Sequence, residues 1–275
     1  MIERTATVDG IPMRWLERGE GAPVVFVHGV PTSPELWRHV LGRVPGARCL
    51  AWEMVGYGAS IPHGRCRDIA VARQAGYLSA WLRHLDLGPV VLVGHDLGGG
   101  VAQILAATER DRVAGLVLTN AVCYDSWPIP SVRVLQRLAG VLPLLPDTAL
   151  YPAFVNLLRR GHDDRARAAE SIGIHWRHYV THGATRGLAR QAAALRARDT
   201  LAVADRLPGI GVPARVVWGA ADQFQRVSYG VRLAEDLGAD LDRIDGGRHF
   251  TPEDHPDRVA AAVDSVLARL HEVPR

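Results

Sequence analysis

Lysine is absent from the 275-residue sequence, so all 32 basic side chains are arginine; this looks like a bias of the coding genome and carries no functional reading. Cysteine is scarce. Cys49, Cys66 and Cys123 are odd in number, widely separated and outside any CxxC spacing, which excludes a disulfide framework and a zinc knuckle and predicts reduced thiols. Aromatic residues make up only 6% and the arginines are scattered rather than gathered into a stripe, so a net charge of +3 does not point to nucleic acid. No uninterrupted apolar run is long enough to cross a bilayer, and the opening MIERTATVDG has neither an apolar signal segment nor a basic amphipathic pattern; a soluble, cytoplasmic chain is expected. The glycine-rich turn at 94–100 lacks the G-x-G-x-x-G spacing and GK[ST] is missing, which argues against a nucleotide site.

What is present is the composition of an ordinary globular chain, 48% hydrophobic and 22% charged, sufficient for one main domain carrying an insertion. Eight β-rich runs, ERTATV, MRWLER, PVVFVHG, ARCLAWE, PVVLVGH, VAGLVLTN, PARVVWG and ADLDRID, alternate with helical patterns. Runs such as VVLVG have no polar alternation, as parallel strands covered on both faces require. Leu78, Trp81, Leu82 and Leu85 recur at helical spacing, as do Val227, Val231 and Ala234. Strands interleaved with helices predict an α/β sheet with ligands beyond the carboxyl ends of its strands. From 126 to 206 the chain instead becomes helix-prone, with prolines at 128, 130, 143, 146 and 152. A core domain formed by 1–125 and 207–275, with a helical cap at 126–206, is therefore expected. Within the cap, the apolar LAGVLPLLPDTALYPAFVNLL is interrupted by prolines and Asp147, and reads as part cap core and part lining of an apolar tunnel.

Residues 94–98, GHDLG, have the G-x-Nu-x-G spacing of a turn between a predicted strand and a predicted helix. Such a turn lifts its central side chain above the sheet, and Gly94 and Gly98 let the two backbones approach. Asp96 stands at the apex, where an acidic group would repel phosphate. Alone, G-x-D-x-G is usually just a tight turn; its meaning comes from its partners. VVWGAADQF leaves Asp222 on the loop after the penultimate strand, and DGGRHFTPEDHP places His249 just after the last one. Upstream, FVHGVPTS supplies a third-strand turn, from which the Val30 amide, with that of Leu97, would form an oxyanion hole.

The order Asp96, Asp222, His249 is the nucleophile, acid, histidine order of α/β-hydrolases. With HGVPTSPELW, MVGYGAS, GHDLGGGVAQ, WGAADQF and GGRHFTPEDHP also in that family's order, almost the whole chain resembles the α/β-hydrolase superfamily, in the aspartate-nucleophile branch of epoxide hydrolases and haloalkane dehalogenases. The resemblance implies the α/β-hydrolase fold: a mostly parallel eight-stranded sheet, helices on both faces and an inserted cap. It also implies a cofactor-independent enzyme without a metal, whose partners are a small apolar substrate and water, not nucleic acid or membrane, working as a monomer or homodimer. Where the family usually has aspartate this chain has Glu53, read as structural; His28 and His95 are read as structural hydrogen-bonders rather than metal ligands. The resemblance further suggests a cis Val30–Pro31 bond.

A carboxylate is a poor attacker of carbonyls, but it can displace a leaving group from saturated carbon and form an ester. His249, oriented by Asp222, would then activate water, and the Val30 and Leu97 amides would stabilise the oxyanion. The leaving group decides the reaction. In haloalkane dehalogenases, which the chain resembles, halide is commonly held by a tryptophan after the nucleophile and by a donor from the third-strand turn or the cap; here Leu97 and Val30 occupy the first two places. The arginines of the fluoroacetate dehalogenase branch are missing from DLGGGVAQ. Epoxide hydrolases commonly use cap tyrosines, for which Tyr151 and Tyr179 are candidates, and Trp127 or Trp176 could donate an indole N–H to halide or epoxide oxygen. Opening of an apolar epoxide to a vicinal diol is the first expectation and haloalkane dehalogenation the second. A non-catalytic ligand-sensing protein comes third, since it would not need Asp96, Asp222 and His249 together.

Overall fold

The computed structural model describes residues 1–272. All eight β-rich runs form strands: β1 (Ile2–Val8), β2 (Ile11–Arg18), β3 (Ala22–Val27), β4 (Ala47–Trp52), β5 (Val90–His95), β6 (Val113–Thr119), β7 (Ala214–Gly219) and β8 (Asp240–Ile244). They make one sheet of order β1-β2-β4-β3-β5-β6-β7-β8. The pairs β1/β2 and β2/β4 are antiparallel, and every pair from β4 onward is parallel.

Helices α1 (Val71–His84), α2 (Leu97–Thr108), α3 (Pro130–Leu138), α4 (Tyr151–Gly161), α5 (Arg165–His182), α6 (Ala184–Ala193), α7 (Arg198–Leu201), α8 (Val227–Leu237), α9 (Thr251–Asp254) and α10 (Pro256–Glu272) complete the chain. The continuous apolar strands are explained by cover on both faces. Val25, Val27 and Leu92 join a core with Leu78 and Trp81 of α1, Val101 of α2 and Leu233 of α8, whereas Val24, Phe26 and Val93 join one with Val259 and Val263 of α10. Alternate residues of a strand face opposite ways, so an all-apolar strand serves two cores at once.

The α1 spacing behaves as expected, with Leu78, Trp81 and Leu82 fully buried. In α8 the register differs. Val231 is 40% exposed, and the buried face runs through Gly230, Leu233 and Ala234. Gly230 sets this register, because it lies so close over the Trp218 indole that a Cβ there would stand 2.6 Å from the ring. The small residue brings the helix down and turns Val231 outward.

Between β6 and β7 the chain runs through α3 to α7, above the carboxyl ends of the central strands. Asp164 caps α5 by accepting from the Ala166 and Arg167 amides, both at 2.9 Å. Part of the long apolar stretch faces inward (Leu150, Phe154, Leu158) and part outward, Leu144 being 82% exposed. Among the described residues, no helix is long and apolar enough to cross a membrane.

The helical segment is also held by buried charge. Glu253 of α9 pairs with Arg38, which reaches Glu170 of α5 at 2.9 Å, and lies 3.1 Å from His162 in an ion pair short of hydrogen-bond geometry. His162 meets Asp254 through Nδ1 at 3.0 Å, and His175 of α5 meets Ser33 at 2.8 Å. Arg14 of β2 binds Glu35 at 2.7 Å and Glu53 at 2.8 Å, and Glu35 accepts from Arg177 of α5 at 3.3 Å. Removing one member of such a cluster leaves another charge buried and unpaired.

Two stability outcomes follow. Burial works against a charge on His162, but Asp254 and Glu253 overcome it and raise its pKa from 6.5 to about 9. A raised folded-state value contributes stability that is complete below 6.5 and lost as pH climbs through 9. The denaturation midpoint should decline over that window, with a shallower decline in His162→Gln; parallel profiles would contradict the assignment. Trp81, wholly buried with its ring 5.4 Å from that of Trp15 and 6.4 Å from that of Trp52, should cost about 3–5 kcal/mol when replaced by alanine, read as a lowered urea midpoint.

Candidate active site

Strand β5 ends at His95 and α2 begins at Leu97, so Asp96 alone makes the turn, at φ 49° and ψ −120°. The turn is possible because three neighbours have no side chain. A Cβ on Gly94 would press on the backbone of Gly98 and Gly99, one on Gly98 would meet the Val27 carbonyl, and one on Gly29 would overlap the Asp96 carboxylate itself. The peptide after Val30 is cis, as expected.

The Val30 amide donates to Asp96 Oδ2 at 2.9 Å. Burial pushes the Asp96 carboxyl up to about 6; the positive charge of His249 and the Val30 and Leu97 amides pull in the opposite direction without cancelling that penalty. His249 Nδ1 donates to Asp222 Oδ2 at 2.8 Å. Burial opposes a charge on His249 as well, yet Asp222 and Asp96 together raise its pKa above the ordinary histidine value. With Nδ1 committed to Asp222, Nε2 is the nitrogen left for chemistry.

Asp222 is fixed from two further sides. The Phe224 amide donates to its Oδ1 at 2.7 Å, and the Asn120 side-chain amide donates to Oδ2 at 2.6 Å. Asn120 lies just past β6 and also accepts from the Gly219 amide at 3.1 Å and the Thr251 hydroxyl at 3.2 Å, which ties the ends of β6 and β7 to the histidine loop. On the other side, the carbonyl of Gly161 at the end of α4 accepts from the backbone amides of His249 at 2.9 Å and Phe250 at 3.0 Å.

Asp96 and His249 border a chamber of about 60 Å³ whose walls include Val122, Ile129, Leu157, Leu195 and Phe224. A second apolar cavity of about 180 Å³ lies among α3, α4 and α6, and shares Val30, Val132, Leu157 and Leu195 with the first. From the apolar stretch LAGVLPLLPDTALYPAFVNLL, Leu150, Ala153, Phe154 and Leu157 line this second cavity.

The cap residues named as leaving-group donors are placed differently from expectation. Tyr151 is 42% exposed and lies against Trp176, with ring centroids 5.1 Å apart; neither borders the chamber. Tyr179 is buried, but its hydroxyl donates to Gln191 Oε1 at 2.8 Å and its ring packs on Phe154, also away from the chamber. Trp127 does border it, yet its indole N–H donates to Thr200 at 2.8 Å and is not free for a ligand. For Tyr151, Trp176 and Tyr179 the reason is common, since the face that α4 or α5 turns inward depends on packing partners distant in sequence; Trp127 precedes α3, and its N–H is taken up by Thr200.

The residues read as structural have protein partners. His28 donates from Nδ1 to the Gly29 carbonyl at 3.0 Å and accepts from the Met54 amide at 3.2 Å, and burial drives its pKa down to about 3. His95 donates from Nε2 to the His249 carbonyl at 3.0 Å. Glu53 is fully buried between Arg14 and Ser60, both at 2.8 Å. Among the described residues no group of three or more His, Cys, Asp and Glu is arranged to hold a metal. Sequence reasoning missed Asn120 and Gln225, which also borders the chamber. Asn120 had a signal, a polar side chain at the carboxyl end of a central strand; Gln225 had only its position three residues after Asp222.

A family model described as alpha/beta hydrolase fold matches residues 22–256. A haloalkane dehalogenase from Sphingobium indicum is 28% identical over 294 residues, covering 96% of this chain and 94% of that protein. Among solved structures, an alpha/beta hydrolase fold protein from Burkholderia ambifaria superposes with a TM-score of 0.85 at 23% identity, over 94% of this chain and 96% of that one. The epoxide hydrolase CorEH superposes with a TM-score of 0.76 at 20% identity, over 98% and 99% of the two chains.

Because the His249 charge holds the Asp96 carboxyl down, deleting it should let that pKa rise. With carbon-13-labelled aspartate, the Asp96 carboxyl should titrate near pH 6 in the wild type and higher in His249→Gln; a lower midpoint in the variant would show that the two groups are not electrostatically coupled.

Proposed function

The chain belongs to the α/β hydrolase fold family, and from that premise we propose that it hydrolyses a bond at saturated carbon through an ester on Asp96, with halide as the leaving group. The observation that carries the first part is the Asp96 carboxylate held by the Val30 amide beside the His249–Asp222 pair. One oxygen, Oδ2, is engaged by the amide, so Oδ1 attacks carbon from behind the departing group. The carbon–oxygen bond forms as the carbon–halogen bond breaks, and the halide leaves with the bonding electrons. Water then adds to the Asp96 carbonyl carbon while His249 Nε2 takes its proton. The Val30 and Leu97 amides stabilise the oxyanion, each such donor being worth about 3 kcal/mol of barrier. Collapse returns that proton to the departing alcohol and leaves Asp96 as its acid, and the second proton of the water passes by way of His249 to solvent, accompanying the halide and restoring the carboxylate.

The chamber favours halide over epoxide oxygen. An alkoxide must be protonated as it forms, and the four cap donors read from the sequence are turned away or already bonded. A halide needs no proton. The full-length likeness to a haloalkane dehalogenase supports the same choice. The apolar walls and the adjoining cavity fit an elongated alkyl substrate whose reactive carbon enters first.

Tyr57 favours epoxide opening as the second reading. Burial, above all, with Tyr179 and the Asp96 charge adding to it, keeps its phenol protonated well above the usual range. A neutral phenol within electrostatic reach of Asp96 is the kind of group that could protonate an epoxide oxygen.

A panel of 1-haloalkanes and terminal epoxides, followed for halide and diol, separates the two readings: halide with alcohol is expected, and diol without halide would reverse the order. His249→Gln should accumulate alkylated Asp96, seen as added mass on its peptide, and Asp96→Asn should lose at least about 10⁴-fold in rate. A substrate turned over with no trapped ester in the histidine variant would count against the two-step scheme.

A further inference from the structure

Three residues after Asp222, Gln225 carries a side-chain amide for which the fold shows no use. It is 3% exposed, borders the chamber shared by Asp96 and His249, and its Oε1 is buried without a hydrogen-bond partner among the described residues. Leaving a buried amide unpaired is costly, and natural proteins seldom do so without a ligand or a function at the site. Oε1 is the fully buried end, and the NH₂ end, which makes no hydrogen bond to the described residues either, is the one left for the chamber.

The backbone that carries this amide is pinned. Phe224, its neighbour, donates its amide to Asp222 Oδ1 at 2.7 Å, and the Trp218 indole donates to the Gln225 carbonyl at 2.9 Å. Trp218 is itself locked beneath Gly230 of α8. The side chain is therefore anchored to the same short loop as the acid that orients His249. Of the other polar groups at the chamber, the Val30 amide is committed to Asp96, the Trp127 N–H to Thr200 and His249 Nδ1 to Asp222, while Asp96 Oδ1 and His249 Nε2 are reserved for the attack and for the water. A neutral donor in a cavity of about 60 Å³ whose walls, Asp96 and His249 apart, are mostly apolar suits a compact acceptor of spread negative charge without penalising the uncharged substrate that precedes it.

We infer that Gln225 is the leaving-group donor of this site, its NH₂ hydrogen-bonding the halide as the carbon–halogen bond breaks. The assignment rests on the halide reading above and gives the halide a donor on the loop that carries the catalytic acid, away from the turn after the nucleophile and from the cap. No proton or electron passes to Gln225. The halide takes the bonding pair, the amide stabilises it, and it departs before or after the ester is hydrolysed.

Bromide binding, read as a saturable change in tryptophan emission with Trp127 at the chamber wall, provides a test that does not depend on turnover. Wild type, Gln225→Leu and Gln225→Glu are titrated with sodium bromide, and single-turnover halide release is compared for a 1-chloroalkane and the matching 1-bromoalkane. Bromide affinity should weaken about 10- to 100-fold in Gln225→Leu, the range for one hydrogen bond to a charged group. Gln225→Glu, nearly isosteric and repelling anions, should show no saturable binding and keeps the comparison if the leucine variant fails to fold. The chloride substrate, with the poorer leaving group, should slow more than the bromide substrate in either variant. Absence of saturable bromide binding by the wild type overturns the assignment, as do unchanged bromide affinity and an unchanged chloride-to-bromide rate ratio in a folded variant. Halide release by the wild type with indistinguishable variants would leave the dehalogenase reading standing without this donor. Gln225-dependent bromide binding with no halide release from any haloalkane would do the opposite.

Discussion

Asp96 holds a backbone conformation that an L-residue adopts only at a penalty of about 1–3 kcal/mol, and its surroundings are built so that it cannot relax. Its carbonyl accepts from the amides of Gly99 and Val122, so the bend is tied both to the first turn of α2 and to the segment after β6. Gly94, Gly98 and Gly29 keep the approach free of side chains. The rest of the site is positioned from this point. Because β3 lies beside β5 in the sheet, the turn after β3 delivers the Val30 amide to the carboxylate, while the ends of β6 and β7 deliver the two groups that steady His249.

One charge links the two steps of the proposed reaction. Asp96 and His249 each stabilise the charged form of the other, so in the resting protein the carboxylate helps to keep the imidazole protonated. Esterification removes the carboxylate charge. Asp222 still supports His249, but the contribution of Asp96 is gone, and the imidazole gives up its proton more readily at the moment when water needs a base. The order of events is thereby written into the electrostatics of a single pair.

Much of this was legible in the sequence, for a physical reason. Asp96, Asp222 and His249 follow strand ends, and a strand end is marked locally by an apolar run stopping at glycine and polar residues, so eight strands and three side chains could be placed without knowing what packs against what. The cap gave no such anchor. Tyr151 and Phe154 are three residues apart on α4, yet Tyr151 lies at the surface and Phe154 lines the inner cavity, because α4 turns toward a partner that its own sequence does not name. Val231 was misplaced in the same way, since the face of α8 is set by the contact between Gly230 and Trp218 rather than by its apolar spacing. Gln225 was invisible because its place at the chamber depends on a loop held by hydrogen bonds from the Phe224 amide and the Trp218 indole, which no local pattern announces.

The Gly161 carbonyl has a consequence for how this protein can change. One oxygen at the end of a roof helix supports two successive amides of the loop bearing the imidazole. Shifting that helix outward to make space would drag the imidazole off its mark, so evolutionary or engineered enlargement is channelled into trimming what projects from the roof, with Leu157, common to both cavities, as the natural place to begin.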